Sequence, residues 1–272
     1  MIRDITIGQY YPAKSVLHRL DPRVKLVGTL LYLISLFLFN SIPGYVMTTL
    51  FLIIIIKMSR VPFSFIVRGL KPVIMLLMIT VLFNLFLTRD GAVLFHAWIF
   101  TITEGGLRTA VYMAIRLIYL IIGSSLMTFT TTPNELTDGI EELLGPLNKI
   151  HVPVHEIAMI MSIALRFIPI LLEETDKIMK AQIARGADLE SGNMIQKAKS
   201  MIPILVPLFV SAFRRANDLA MEARCYRGGE GRTKMKPLKY HKEDRMAYIT
   251  VIAYVILVVV IGRCVPVHIW VF

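Results

Sequence analysis

The run Leu26–Ile56, LVGTLLYLISLFLFNSIPGYVMTTLFLIIII, carries no Asp, Glu, Lys or Arg. A membrane-spanning helix needs about 17–25 mostly apolar residues, so the run is too long for one ordinary span and slightly short for two. Asn40-Ser41-Ile42-Pro43-Gly44 supplies turn residues near its middle. It therefore reads as a tight hairpin of two membrane helices, Val24–Phe39 and Pro43–Ile56. Three further apolar stretches follow: Pro72–Thr88, Thr109–Thr130 with Arg116 inside it, and Met246–Gly262. The predicted fold class is an all-α integral membrane protein with about five transmembrane helices.

Composition agrees. Of 272 residues, 56% are hydrophobic and 18% charged, a balance that a soluble domain does not combine with such long uncharged runs. The net charge of +11 raises the question of nucleic acid. However, no basic stripe interleaved with stacking aromatics lies outside the apolar runs. Basic loops beside membrane helices are explained by anionic lipid and the positive-inside bias. No nucleic-acid partner is expected. Cys225 and Cys264 stand in a basic stretch and beyond the last apolar run, so no disulfide is expected between them. Met1–Asp21 lacks the apolar core of a cleavable signal peptide, which leaves insertion to the first span.

Lys and Arg give the topology. With the N-terminus inside, residues 1–25, 57–71 and 131–245 place 26 of them on the inner face, against Arg89, Arg108 and Arg263 outside. That asymmetry predicts a cytoplasmic N-terminus and an extracellular C-terminus in the cell membrane. Residues 1–130 and 246–272 then form the transmembrane bundle, and residues 131–245 a cytoplasmic or interfacial section. Within the latter, Ile157–Leu172 and Met201–Phe213 are apolar but interrupted by Arg166 and Pro169, and by Pro203 and Pro207. Both read as buried or interfacial helices. A seven-span alternative would put Lys177, Lys180, Arg185, Lys197 and Lys199 outside.

The inner section holds a weak internal duplication. Each copy is an apolar segment with a proline, then a mixed charged helical run, then Ala-Arg. Pro169 precedes Arg185 by 16 residues and Pro207 precedes Arg224 by 17. Each copy would make a rod roughly 25 Å long. Arg185 sits in Ala184-Arg185-Gly186 and Arg224 in Ala223-Arg224-Cys225, where small neighbours let a guanidinium project from a narrow tip. Gly186 suits the position just past a helix end, and a cation in the last turn suits the helix dipole. The plainer reading is two helix-terminal arginines in solvent.

Other motifs are weaker. Gly228-Gly229-Glu230-Gly231-Arg232-Thr233-Lys234 has the wrong order for a phosphate-binding loop and reads as a basic linker. His155-Glu156 begins a zinc-protease-like string, but position 159 is Met. His151 and His155 lie one turn apart and read as surface or interface residues rather than metal ligands. Thr132 and Pro133 read as a helix N-cap and first position. Arg116, charged inside a span, is either functional or paired with backbone carbonyls in the bundle. No metal or cofactor site is expected.

The set Leu17-His18-Arg19-Leu20-Asp21-Pro22-Arg23-Val24-Lys25-Leu26 before the first span resembles the start of the transmembrane T components of energy-coupling factor (ECF) transporters. So does Leu165-Arg166-Phe167-Ile168-Pro169 leading to Ala184-Arg185-Gly186, followed by a second Ala-Arg motif. The ordered set covers nearly the whole chain. The resemblance implies long amphipathic cytoplasmic coupling helices whose two arginines, Arg185 and Arg224, dock on two ABC-type ATPase subunits. Ala184, Gly186, Ala223 and Cys225 would flank them. Cys225 departs from the usual small residue, and Arg227 competes for the second role. The resemblance further implies a non-catalytic energy-coupling subunit, which passes ATP-driven motion to a vitamin-binding membrane S component. The alternative is a self-sufficient secondary transporter. It would need buried carboxylates or broken helices at the membrane midplane, and the five expected spans contain no Asp or Glu.

Overall fold

The computed structural model describes residues 10–87, 93–97, 100–187, 195, 199–225, 238 and 240–264. Those residues form two compact units, one within residues 8–144 and 239–272, the other within residues 145–238.

In the first unit, α1 (Val16–Arg19) leads into α2 (Pro22–Ser35), α3 (Ile42–Ser59), α4 (Phe63–Leu70) and α5 (Ile74–Leu87). A short antiparallel hairpin, β1 (Val93–Ala97) and β2 (Phe100–Thr103), pairs Val93 with Thr103 and Ala97 with Phe100. It departs from an otherwise helical fold. Then come α6 (Glu104–Thr130) and α7 (Pro133–Leu144), and late in the chain α10 (Lys242–Cys264). The second unit contains α8 (Val154–Ala184) and α9 (Ile202–Cys225).

Helix starts follow from local side chains. Asp21 caps α2 by accepting from the Arg23 N–H at 2.9 Å, with Pro22 at the first position. Thr103 caps α6. Thr132 and Glu135 form a reciprocal capping box at α7, as Thr132 and Pro133 suggest. α2 stops at Ser35, four residues before the expected end. Phe37 and Leu38 donate to Ile34 and Ser35, tightening the last turn. The Phe39 ring then folds back on Tyr45, with centroids 5.1 Å apart.

Among the described residues, four helices are long and apolar enough to cross a membrane: Ile42–Ser59, Glu104–Thr130, Val154–Ala184 and Lys242–Gly262. Two of the expected spans, Val24–Phe39 and Pro72–Thr88, correspond to helices of only 14 residues, α2 and α5. Conversely, Ile157–Leu172 is part of the 31-residue α8, which continues through Pro169 into the charged run. The apolar and charged halves of the second copy likewise join in α9, through Pro207. The amphipathic α4 lies within residues 57–71, between two of the expected spans.

The core of the first unit joins α2, α3, α6 and α10 around Tyr32, Leu36, Phe39, Tyr45, Leu52, Tyr254 and Val258. Most of its polar groups are paired. The Ser35 and Thr48 hydroxyls donate to Tyr32 and Gly44 carbonyls. Each has then used its one proton, so the buried Tyr254 hydroxyl donates to Thr48 at 3.0 Å. Phe51 stacks on Tyr254 at 4.0 Å. Tyr32 lies against the α6 backbone because Gly123 has no side chain; a Cβ there would come within 2.4 Å of the ring.

Candidate functional site

The arginine at the end of α8 is held by a complete Schellman motif. Gly186 takes φ +87°, and its N–H donates to Ile183 at 2.9 Å. The Ala187 N–H donates to Gln182 at 3.0 Å. These are the two bonds that close a helix whose first outside residue is left-handed. Glycine is favoured there because a left-handed φ strains most residues that carry a side chain. Arg185 is the C-cap, with its own N–H bonded to Ala181 and Gln182. Its side chain is exposed, as are Ala184 and Gly186. Among the described residues no carboxylate pairs with it.

The second motif closes α9: Ala223, Arg224 and Cys225 are its last three residues. Arg227 lies outside the described residues. The two arginines are not neighbours. Glu174 of α8 accepts from the Arg215 guanidinium of α9 at 2.8 Å, and from the Ser211 hydroxyl. Eight residues further along α8, the Gln182 amide donates to the Pro203 carbonyl at 3.3 Å. Moving forward on α8 thus moves backward on α9, so the helices are antiparallel and Arg185 and Arg224 stand at opposite ends of the pair. Glu174 lies eleven residues, about 17 Å of helix, before Arg185; Arg215 lies nine residues, about 14 Å, before Arg224. The two arms are nearly equal.

The flanks of this pair are apolar and uncovered. Ile157, Ile160, Leu205, Val206, Phe209 and Phe213 are all exposed. Only Val154 and Ala158 of α8 are buried.

Arg116 is placed differently. It is 3% exposed and donates to the Phe39 carbonyl at 3.2 Å and to the Asn40 side-chain oxygen. Both acceptors belong to the turn between α2 and α3, and the guanidinium lies 5.6 Å from the Phe37 ring. Its pairing is that of a clamp on a turn, and it lies in a different unit from Arg185 and Arg224.

Sequence reasoning missed a second group of polar residues, inside the motif before α2. Asp244 accepts from the Asp21 and His241 backbone N–H groups at 2.8 and 2.7 Å, which fastens the starts of α2 and α10 together. The Lys25 ammonium donates to the Thr130 carbonyl at 2.9 Å and to the His18 carbonyl at 3.3 Å, tying α1 to the end of α6. His18 donates from Nε2 to the Tyr11 carbonyl at 2.9 Å, so in the neutral ring Nδ1 accepts from Ser15. Arg23 pairs with Asp21 and lies 4.4 Å from the Tyr240 ring.

The chain has relatives among known proteins. Residues 13–235 match the model of the cobalt transport protein family, CbiQ. The energy-coupling factor transporter transmembrane protein EcfT of Clostridium kluyveri is 58% identical over 250 residues, covering 91% of this chain and 93% of that protein. The EcfT proteins of Acidaminococcus fermentans and Bacillus subtilis are 49% and 48% identical. They are covered over 100% and 96% of their lengths, by 98% and 93% of this chain.

The chain belongs to the EcfT family. It is a multi-pass membrane protein and a non-catalytic transmembrane coupling subunit of an ECF-type transporter. Of the residues before and at the start of α2 that carry the EcfT resemblance, Asp21 joins the start of α2 to that of α10, and Lys25 ties α1 to the end of α6.

Proposed function

We propose that α8 and α9 are the coupling helices, and that Arg185 and Arg224 each dock on one of two ABC-type ATPase subunits. The exposed apolar helix surfaces would hold a substrate-binding membrane S component. ATP-driven closure of the ATPases displaces the arginine-tipped ends, and the rigid helices carry that displacement to the S component, which releases its vitamin inside. In this reading the N-terminus is cytoplasmic and the C-terminus extracellular, and residues 131–245 face the ATPases. Ala184 and Gly186, and Ala223 and Cys225, leave each guanidinium room to enter a groove, with Arg227 as an alternative second contact.

The observation that supports this best is the antiparallel α8–α9 pair. One rigid element with an arginine at either end can engage two motor subunits at once. Arginine suits such a site because its planar fork makes several charge-assisted bonds to carboxylates or carbonyls. The test is the double reversal Arg185→Glu with Arg224→Glu in the co-expressed complex. Loss of ATPase co-purification and of vitamin uptake is expected. Retention of both would overturn the assignment.

A further inference from the structure

We propose that Glu174, with Arg215 and Ser211, is the pin that fixes the crossing of the coupling helices and thereby sets the spacing of the two arginine tips. The proposal rests on the docking reading above and adds positioning residues to it.

Three observations carry it. First, the pair holds few buried apolar contacts to fix its own register: Val154 and Ala158 are the buried residues of α8, and Ile204 is the buried hydrophobic residue of α9 among those described. Apolar surfaces alone slide over one another, whereas directed hydrogen bonds do not. Second, Glu174 uses both carboxylate oxygens across the crossing, Oε1 to the Ser211 hydroxyl and Oε2 to the Arg215 guanidinium. Ser211 and Arg215 are one helical turn apart on α9, so the carboxylate fixes rotation as well as distance. Third, the pin stands near the centre of the duplicated pair, with arms of about 17 and 14 Å to Arg185 and Arg224. A pivot so placed presents the tips up to about 30 Å apart and moves them by similar amounts.

The pin therefore acts through the arginines and is not itself a docking contact. An exposed ion pair adds little to stability, and Glu174 is a quarter exposed at 23%, Arg215 at 41%. Its removal should loosen the geometry of the pair without unfolding the chain.

The experiment compares Glu174→Gln, Arg215→Gln and the exchanged pair Glu174→Arg with Arg215→Glu, in the complete transporter reconstituted in liposomes. In each single variant the ATPases should still co-purify, and ATP hydrolysis per assembled complex should stay within about twofold. Uptake should fall about fivefold to tenfold, the size of effect expected when a coupling element is weakened. The exchanged pair should recover at least half of that loss. Unchanged uptake in both single variants overturns the proposal. So does a parallel fall of uptake and hydrolysis that tracks loss of complex and is not repaired by the exchange, since that is what a merely structural contact would give.

A second measurement separates this failure from failure of the docking reading. Spin labels on Cys225 and on Ala187→Cys, in a Cys264→Ser background, report the tip separation in the chain without ATPases. One narrow distance population is expected, broadened by Glu174→Gln. Equal widths in both chains would overturn the pin, whatever the arginines bind.

Discussion

The two units solve opposite problems with the same building block. In the unit of residues 8–144 and 239–272, long helices bury a shared lattice of aromatic rings and hydroxyls: Tyr32, Tyr45, Tyr254, Ser35 and Thr48 are all at most 6% exposed. Several helix starts there are fastened by side chains: Asp21 and Asp244 at α2, Thr103 at α6, and Thr132 with Glu135 at α7. In the unit of residues 145–238, α8 and α9 meet along a thin seam and leave Ile160, Phe209 and Phe213 between 58 and 67% exposed. Surface of that size and apolarity is kept for lipid or partners rather than for the chain's own core. The first unit buries apolar surface in a core of its own, and the second leaves much of it open.

Truncating the same kind of side chain in each unit tests that contrast, and the largest effect belongs in the first. Leu36 is fully buried between the hairpin turn and α10. Leu36→Ala should lower stability by about 2 kcal/mol or more through the cavity it leaves, read as an earlier thermal unfolding transition in detergent. A silent Leu36→Ala would mean the lattice is loose. Arg116→Met comes next: it leaves the Phe39 carbonyl and the Asn40 side chain without their donor. An unsatisfied buried acceptor costs about 1–3 kcal/mol, and the same melt should show it. Uptake per folded molecule should be retained, which separates a turn clamp from a transport residue. Tyr254→Phe removes the bond to Thr48 and the longer contact, 3.4 Å, with the Ser35 hydroxyl. Hydrogen bonds between membrane helices average about 0.6 kcal/mol, so the shift should be small but in the same direction.

How much of this could be read beforehand differs between the units too. Uncharged length was enough to place helices near α3, α6 and α10, and local chemistry was enough for Thr132, Pro133 and Gly186. Helix length was less legible. A composition window stops at Leu172 or Phe213, where apolar residues give way to charged ones, but hydrogen bonding along α8 and α9 continues across that change. The polar connections were illegible because their partners are far apart in the chain. Glu174 and Arg215 are 41 residues apart, Lys25 and Thr130 are 105 apart, and Asp21 and Asp244 are 223 apart. Nothing local marks which acid meets which base. The duplicated Ala-Arg motif showed two tips; only the antiparallel register puts them at opposite ends.

The smallest stability effect makes the sharpest test of the contrast. Phe209 is 65% exposed and touches Phe213, one turn on, with ring centroids 4.9 Å apart. Surface substitutions away from special features change stability by less than about 0.5 kcal/mol, so Phe209→Ala should leave the melt of the isolated chain where it was. If α8 and α9 carry motion to a membrane partner, the same substitution should weaken retention of the S component and reduce uptake, while the ATPases stay bound through Arg185 and Arg224. A melt lowered as far as that of Leu36→Ala would show that this face is packed within the chain. Unchanged S-component retention and uptake would instead leave lipid as what covers it.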